Sequence, residues 1–292
     1  CGAVEYAVVV ARWLGDGTFA WAAPLCVEST ASAAIYDAPQ GTEIAALSDG
    51  SFVLSGAFND SAVFGPGTAA ETTLTEESGT EHGYYLARYT PDGVPLWAVA
   101  TPAWAFGLEA MSDDSFVGAG TYSGATAFDT VGGEVTLGAD AEADGGAAAA
   151  MPYFARWNAD GEMLWVAWPE CEGAAACGAD LSMPDVTSDG DIFFSCTYSG
   201  AVRFGDGSAE DAVLSSPSLD SLCAVRYGAD GALLELTSWG FGWSHADALR
   251  GLALDGGGFV AAVEFACWVD DAGDVGVVDF DNPPDFSWKD EG

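Results

Sequence analysis

Short apolar runs recur along this chain, and each begins just after a tight turn rich in Asp and Gly. Three of them read SFVLSGAF from Ser51, SFVGAGTY from Ser115 and DIFFSCTY from Asp191, and a fourth reads GFVAAVEF from Gly258. An apolar run of this length between turn residues is typical of a buried β-strand. The pattern therefore predicts four equivalent strands.

A second phrase recurs between these runs: Ala-Arg-aromatic, two variable residues, Asp-Gly, and a Trp four residues later. It reads ARWLGDGTFAW from Ala11, ARYTPDGVPLW from Ala87 and ARWNADGEMLW from Ala155, with a divergent copy, VRYGADGALLE, from Val225. Asp-Gly between two apolar runs is a hairpin signal because both residues tolerate the turn geometry. Each copy predicts two antiparallel strands, and the second strand carries Trp21, Trp97 and Trp165 in the three full copies.

Self-similarity at a period of roughly 70 residues, with about four short strands per period, is the signature of a β-propeller. We therefore predict an all-β, four-bladed β-propeller with four antiparallel strands in each blade. A variable excursion separates the second and third strands of a blade. It contains a third phrase that ends in Phe64, Phe128, Phe204 and Phe280.

The repeats are circularly permuted along the chain. The N-terminal part supplies a third and a fourth strand, at about 4–13 and 18–25, and the C-terminal part supplies a first and a second strand within about 247–267. Pairing of the N- and C-terminal strands would complete the last blade and remove the open sheet edges. The propeller domain then spans 1–269. A β-sandwich interrupted by a twofold repeat is the alternative architecture.

Residues 270–292 form a C-terminal tail that is acidic and rich in Gly. Its segment VGVVDF (275–280) has strand character and can pair with an exposed sheet edge. We expect the tail to dock on its own propeller or on a neighbouring subunit.

These phrases resemble the β-propeller repeats of secreted bacterial proteins of the SBBP type, in which a FVARYD-x-x-G-x-x-x-W stretch alternates with a D-x-x-G-x-x-Y-V-x-G stretch. YYLARYTPDGVPLW (84–97) and YFARWNADGEMLW (153–165) carry the likeness, which extends over nearly the whole chain. The chain departs from it at Glu235, where a Trp is expected, in the Ala-rich excursion 138–151, and after Phe280. The resemblance implies an extracellular, often surface-associated protein, and its motifs specify fold rather than chemistry.

The charge balance excludes several classes of partner. The chain has 45 acidic and 7 basic residues, for a net charge of −38. Such a surface repels nucleic acid and anionic membranes, and no apolar run is long enough for a transmembrane segment. The charge is typical of a secreted or salt-adapted surface, and it can also attract divalent cations or cationic polymers.

Seven cysteines are scattered along the chain with no Cys-x-x-Cys pair, which favours disulfides over a structural zinc site. Cys171 and Cys177 lie six residues apart, so we predict a local bridge between them. Cys196 lies on the second strand of its repeat and Cys223 on the third, where antiparallel neighbours come within disulfide range. We therefore predict a second bridge between Cys196 and Cys223.

Three cysteines remain, and their pairing is open. A Cys1–Cys267 bridge would fix the closure of the propeller and leave Cys26 unpaired. Cys1-Gly2 also fits the start left by lipoprotein signal cleavage. A lipid anchor at Cys1 would leave Cys26 to pair with Cys267. One of these bonds can instead join two molecules, as an odd cysteine in a secreted protein permits.

One arginine occupies the same position of every repeat, and these are four of the seven basic residues: Arg12, Arg88, Arg156 and Arg226. We expect each to form an ion pair with an Asp of a turn in its own blade, for example Asp49, Asp113, Asp189 or Asp255. A ring of arginines that grips an anion is the weaker alternative. Asp16, Asp92, Asp160 and Asp230 precede Gly in the hairpins and are expected to form the turns.

No motif indicates catalysis, and we predict that the protein is not an enzyme. Ser244, His245 and Asp247 are too close in sequence to converge as a triad, and no Gly-x-Ser-x-Gly elbow is present. We expect no cofactor and no dedicated metal site, although acidic clusters can bind Ca²⁺. The candidate clusters are Asp206 with Glu210 and Asp211, and Asp270 with Asp271 and Asp274.

Alternating aromatic residues mark the connections that lead into the first strand of a repeat. They are Trp104 and Phe106 in one connection, and Trp239, Phe241 and Trp243 in another. Such rings can stack on sugars or pack between blades. Asn59-Asp60-Ser61 is an N-glycosylation sequon, so Asn59 is a candidate for glycosylation.

Together these features predict an exported, disulfide-bonded structural protein at the cell surface or outside the cell, which associates with copies of itself as a surface or filament subunit. The alternative is a monomeric carbohydrate-binding module of a surface lipoprotein, with its site at the aromatic connections. A hydrolase on a propeller scaffold is a third hypothesis. It would require convergent carboxylates in the central channel that no phrase marks.

Overall fold

The computed structural model describes residues 6–28, 43–58, 60–76, 83–138, 150–172, 177–205, 212–240, 246–254 and 258–265. Within these residues every regular element is a β-strand and no helix is present. This confirms the predicted all-β class. The described strands form five sheets that do not join into a closed ring, so the four-bladed propeller stays a prediction.

The first sheet begins with an N-terminal hairpin of β1 (Tyr6–Trp13) and β2 (Phe19–Glu28). The two strands lie close to the predicted ranges and are joined by the first Asp-Gly turn. A second hairpin, β5 (Ser61–Phe64) and β6 (Thr72–Thr75), pairs with β2 and gives the sheet order β1-β2-β5-β6. Strand β1 therefore lies at an edge of this sheet.

The second sheet is one complete repeat, which we call repeat 1. It consists of β3 (Glu43–Ala46), β4 (Phe52–Phe58), β7 (Gly83–Tyr89) and β8 (Pro95–Thr101), paired antiparallel in that order. This is the four-stranded unit that the repeated phrases predict. The excursion between β4 and β7 supplies the hairpin β5–β6 of the first sheet.

Repeat 2 has the same four strands and carries its own excursion. Its four strands are β9 (Trp104–Ala110), β10 (Phe116–Tyr122), β13 (Met151–Trp157) and β14 (Met163–Ala167). The excursion hairpin, β11 (Thr126–Thr130) and β12 (Gly133–Leu137), extends the sheet beyond β14 through a parallel pairing of Thr130 with Met163. The resulting order is β12-β11-β14-β13-β10-β9.

Repeat 3 is built around two long strands. They are β18 (Ile192–Phe204) and β19 (Ala212–Tyr227), and β20 (Leu233–Gly240) follows β19. Three short strands pair with the other edge of β18: β15 (Glu170–Cys171), β16 (Gly178–Leu181) and β17 (Asp185–Val186). The excursion of this repeat is thus a continuation of its β18–β19 hairpin rather than a separate one.

A C-terminal hairpin ends the described chain. Its strands, β21 (Ala246–Leu254) and β22 (Gly258–Phe265), form a sheet of their own and lie within one or two residues of the predicted bounds. Strand β21 lies against β18 of repeat 3. The predicted tail, 270–292, is outside the described residues.

Among the described side chains the core consists of three clusters, one at each boundary between consecutive sheets from the first sheet to repeat 3. The N-terminal hairpin contributes Val10 and Trp21 to the first cluster, which contains Phe52 and Tyr89 of repeat 1. Repeat 1 meets repeat 2 in the second cluster and repeat 2 meets repeat 3 in the third. The sheets therefore pack face to face in chain order, and each repeat buries its apolar residues against the next one.

Two disulfides lie within repeat 3. Cys171–Cys177 closes a short loop, and Cys196–Cys223 joins residues that lie directly opposite each other on β18 and β19, with Cα atoms 4.8 Å apart. Both are the local bridges that the spacing predicts. Cys1 and Cys267 are outside the described residues, as is the Cys26 side chain, so their pairing stays open. The two bridges indicate an oxidising compartment, as outside the cell.

Candidate functional site

The repeated arginines form the predicted ion pairs in two repeats. Arg88 Nη2 lies 2.9 Å from Asp49 Oδ2, and its Nε donates to Ser51 Oγ at 3.0 Å. Arg156 makes the same contact to Asp113 at 2.6 Å. Asp49 and Asp113 stand in the turns before β4 and β10, so each ion pair joins the third strand of a repeat to the start of its second strand.

The same arginines also reach across the boundary to the next repeat, where a tryptophan joins them on one carbonyl oxygen. The acceptor is the residue just before the Asp-Gly turn of the following hairpin. Arg12 Nη1 and Trp21 Nε1 bind Pro91 O, Arg88 Nη1 and Trp97 Nε1 bind Ala159 O, and Arg156 Nη1 and Trp165 Nε1 bind Ala229 O, all at 2.5–3.0 Å. We call this three-residue contact the Arg–Trp latch.

The latch satisfies a charge that is largely removed from water. The Arg88 and Arg156 side chains are each only 12% exposed, and a guanidinium in such a place is costly unless its N–H groups have acceptors. A hydrogen bond from a charged donor contributes about 1.5–3 kcal/mol. The latch therefore holds consecutive repeats in one relative position, in addition to their apolar contact.

In the Asp-Gly turns of repeats 1, 2 and 3 the Gly makes room for the latch tryptophan of the preceding unit. A Cβ added at Gly161 would lie 3.1 Å from the Trp97 ring, and Gly161 has a φ of +84°. The same relationship joins Gly93 to Trp21 and Gly231 to Trp165. Each Gly thus permits both the left-handed turn and the close approach of a ring from the preceding repeat.

Repeat 3 departs from this arrangement. Glu235 stands where the other copies have Trp, and Arg226 forms ion pairs with Asp191 at 2.9 Å and with Glu235 at 3.4 Å. The prediction that Arg226 pairs with Asp189 was wrong. Asp191, two residues further along the chain, faces the Arg226 guanidinium instead. The ion pairs of Arg226 in the described part of the chain stay inside repeat 3.

The N-terminal hairpin presents an apolar face to solvent. Trp13 is 61%, Phe19 55% and Val9 62% exposed, and the two aromatic rings pack edge to face with centroids 5.9 Å apart. Leu14, in the turn, is exposed as well. We call these four residues the Trp13 face.

The equivalents of Trp13 in the other repeats are buried. Tyr89 is 4%, Trp157 1% and Tyr227 0% exposed. Tyr89 is covered by the N-terminal hairpin, and Trp157 and Tyr227 are each covered by the preceding repeat, through the core clusters described above. The Trp13 face is therefore equivalent to the surface that is covered in the other repeats, and no repeat in the described part of the chain packs on it.

Of the aromatic candidates for sugar binding, the structure describes the side chains of one pair. Trp104 and Phe106 lie on β9, half-buried, with their rings edge to face and 5.7 Å between centroids. Phe106 packs against the third core cluster, so this pair contributes to packing between repeats. Trp239 is the penultimate residue of β20, but its side chain, Phe241 and Trp243 lie outside the described residues.

The structure provides no geometry for the candidate Ca²⁺ ligands, the candidate glycosylation site or the Ser and His of the suggested triad. Among the described residues no group of three His, Cys, Asp or Glu side chains is placed to hold a metal ion. Both candidate Ca²⁺ clusters lie outside the described ranges, as do Asn59, Ser244 and His245. No helix in the described part of the chain is long and apolar enough to cross a membrane.

No protein-family model matches this chain, and a search of curated proteins finds no match. The likeness to SBBP-type repeats therefore stays a prediction from the phrases themselves.

The sequence identified the Arg and Trp residues of the latch, but it did not predict that they bind one shared carbonyl oxygen. The arginines and tryptophans were identified as repeated positions, whereas their shared acceptor is a backbone carbonyl, so the residue that supplies it is free to vary between Pro91, Ala159 and Ala229. The available signal was that Arg and Trp are retained together in three copies while the residue before Asp-Gly is not.

Proposed function

We propose that this chain is a non-enzymatic structural protein of the cell exterior and that it associates with copies of itself through the ends of its row of repeats. The observation that carries the proposal is the exposure of Trp13 at a position that is buried in every other repeat. Contiguous exposed apolar side chains on a charged, soluble surface mark an interaction site.

The two ends of the row are complementary. One end of the described row is the Trp13 face, on which no described repeat packs. The other end is the surface of repeat 3 around Arg226, which occupies the position from which Arg12, Arg88 and Arg156 contact the next hairpin. A contact between two different surfaces of identical subunits is heterologous, and it builds rings when it closes and filaments when it does not.

The finer architecture belongs to the same proposal. The repeated four-stranded units, their face-to-face packing and the likeness to SBBP-type repeats support blades of the propeller type, with the N- and C-terminal hairpins as the two halves of a fourth blade. Among the described strands these two halves are not paired within one chain, and the Trp13 face is exposed. The two disulfides support a place outside the cell.

The net charge sets the conditions for assembly. At −38 per chain, copies repel one another over long distances. At physiological ionic strength the Debye length falls to about 8 Å, so an apolar contact between two ends can form despite the charge. We expect assembly to increase with salt concentration.

The test is the native size of the purified protein, measured without reductant by light scattering and electron microscopy. Trp13→Asp places a charge on the Trp13 face and should abolish assembly. Val131→Asp is the matched control, since Val131 is also 62% exposed but lies in the β11–β12 turn, away from the end face. A monomeric wild-type protein would reject the proposal and would direct attention to glycan binding.

A further inference from the structure

Among the described strands, two edges lack the neighbour that their equivalents have. In repeats 1, 2 and 3 the second strand pairs antiparallel with the third strand, as β4 with β7, β10 with β13 and β18 with β19. The strand β1 is equivalent to β7 but lies at a sheet edge, and β22 is equivalent to β4 but pairs only with β21. Each is the partner that the other lacks.

The register of the missing pair follows from the three existing ones. Phe52 pairs with Tyr89, Phe116 with Trp157 and Ile192 with Tyr227. The equivalent residues are Phe259 on β22 and Trp13 on β1. This alignment also sets Val263 opposite Val9, which corresponds to the pair Cys196 and Cys223 in repeat 3.

On the basis of the proposed function, we propose that β22 of one copy pairs with β1 of a second copy, with Phe259 opposite Trp13, and so completes a fourth four-stranded sheet between the two molecules. The sheet order is then β21-β22-β1-β2, which matches β3-β4-β7-β8 of repeat 1. The contact satisfies the open N–H and C=O groups of both edges, which an unpaired strand would leave exposed.

The same docking places a repeat 3 surface over the Trp13 face. Strand β21 lies against β18, so a second copy that binds β22 also meets repeat 3. In the repeat alignment Gly15 occupies the acceptor position of Pro91, Ala159 and Ala229, and a Cβ added at Gly15 would meet no atom within 4 Å. Arg226 then donates to Gly15 O of the second copy, as the other arginines do at internal boundaries.

We assign a second copy as the occupant because both edges are open in the part of one chain that the structure describes. The described strands β1 and β22 are not hydrogen-bonded to each other, and the N-terminal hairpin packs on repeat 1 while β21 lies against repeat 3. The junction also differs from the internal boundaries, since Glu235 replaces the latch tryptophan. Loss of that ring and its hydrogen bond makes the junction weaker than the covalently linked boundaries, as a reversible assembly requires.

The test uses two variants that each add one cysteine to the seven native ones, Val9→Cys and Val263→Cys, which are co-expressed, purified and oxidised with glutathione disulfide. Neither variant can form the bond within one chain, so a disulfide-linked peptide pair joining positions 9 and 263 reports pairing between copies. Cys196–Cys223, the equivalent pair, has Cα atoms 4.8 Å apart, within disulfide range. We expect this cross-linked peptide in the assembled fraction.

The off-register control is Val9→Cys with Ala262→Cys. A shift of one residue places the side chain on the opposite face of the sheet, so the yield of cross-linked peptide should fall at least tenfold. The double variant Val9→Cys/Val263→Cys tests the other topology. A monomer containing the bond within one chain, with no bond in the mixture, would overturn the inference in favour of self-closure.

The experiments distinguish failure of the proposed self-association from failure of strand pairing between copies. Assembly that depends on Trp13 without the in-register cross-link leaves the structural function intact and rejects strand pairing between copies. Absence of any assembly of the wild-type protein rejects both.

Discussion

Arg156 donates a hydrogen bond from Nη1 to the carbonyl oxygen of Ala229, which lies 2.5 Å away in space and 73 residues further along the chain. Trp165 donates to the same oxygen at 3.0 Å. This single carbonyl joins the third and fourth strands of repeat 2 to the hairpin of repeat 3. The boundary between repeats is thus specified by a charged hydrogen bond as well as by apolar packing.

Removal of the latch arginine should destabilise the protein. Arg156→Ala leaves the Ala229 carbonyl with the Trp165 bond alone and leaves Asp113 without its cation. Loss of a partly buried charged hydrogen bond and its partner typically costs about 2–4 kcal/mol. The urea midpoint at pH 7 measures this. Arg203→Ala is the control, because the Arg203–Glu172 ion pair is more exposed and should contribute less than about 1 kcal/mol. Equal shifts for the two variants would contradict a role for the latch.

The ion pair at Arg156 should make stability depend on acidity. The pKa of Asp113 lies below its ordinary value, because the hydrogen bonds from Ser115 and the charge of Arg156 outweigh the opposing effect of partial desolvation. A carboxyl with a lowered pKa in the folded state stabilises the fold above its unfolded pKa of about 4 and loses that contribution as the pH falls through the folded value.

The measurement is the urea midpoint of the wild type and of Asp113→Asn at pH 7 and at about pH 3. The wild type should be the more stable at pH 7, by less than about 1 kcal/mol since the Asp113 side chain is 59% exposed. The difference should shrink toward pH 3. If the stability difference between the wild type and Asp113→Asn instead grew on acidification, the pKa of Asp113 would not be lowered in the folded state.

Gly120 on β10 should not tolerate a side chain. An added Cβ would lie 1.9 Å from the backbone oxygen of Trp104 and 2.3 Å from the Tyr153 ring. The backbone of β9 cannot move without loss of its pairing, so Gly120→Ala should destabilise by roughly 3 kcal/mol or more. Gly132→Ala is the control, since its Cβ would find only Thr130 Oγ1 at 3.5 Å. Thermal unfolding of the two variants decides the point, and an unchanged melting temperature for Gly120→Ala would contradict the close approach.

The two disulfides should differ in their contributions to stability. Cys196–Cys223 closes a loop of 27 residues and Cys171–Cys177 a loop of 6. The chain-entropy model gives about 3.5 kcal/mol for the longer loop and about 2 kcal/mol for the shorter one. Cys196 and Cys223 are also buried in the third core cluster, so replacement of this pair by Ala adds a packing defect. Denaturant midpoints of the two double-Ala variants should follow that order, and the reverse order would reject it.

Prediction from the sequence was most successful where one repeat carries its own signal. The hairpin β7–β8 follows from ARYTPDGVPLW because Asp92 and Gly93 fix the turn and the alternation fixes the faces. The ion pair of Arg88 with Asp49 was predictable because both belong to recurring phrases. Arg226 was mispaired because Asp191 and Glu235, its partners, are the residues in which repeat 3 departs from the others.

By itself, the sequence determined the class of fold, the repeat units, the two local disulfides and the positions of the repeated Arg and Trp residues. Each of these depends on contacts within roughly one repeat. Only the tertiary structure decided which carbonyl the arginines and tryptophans share and that Trp13 is exposed while Trp157 is buried. The phrases around Trp13 and Trp157 share the Ala-Arg-Trp, the Asp-Gly turn and the Trp that follows it. Their burial differs because it depends on whether another repeat packs in front of them, and that is a property of position in the row rather than of local sequence.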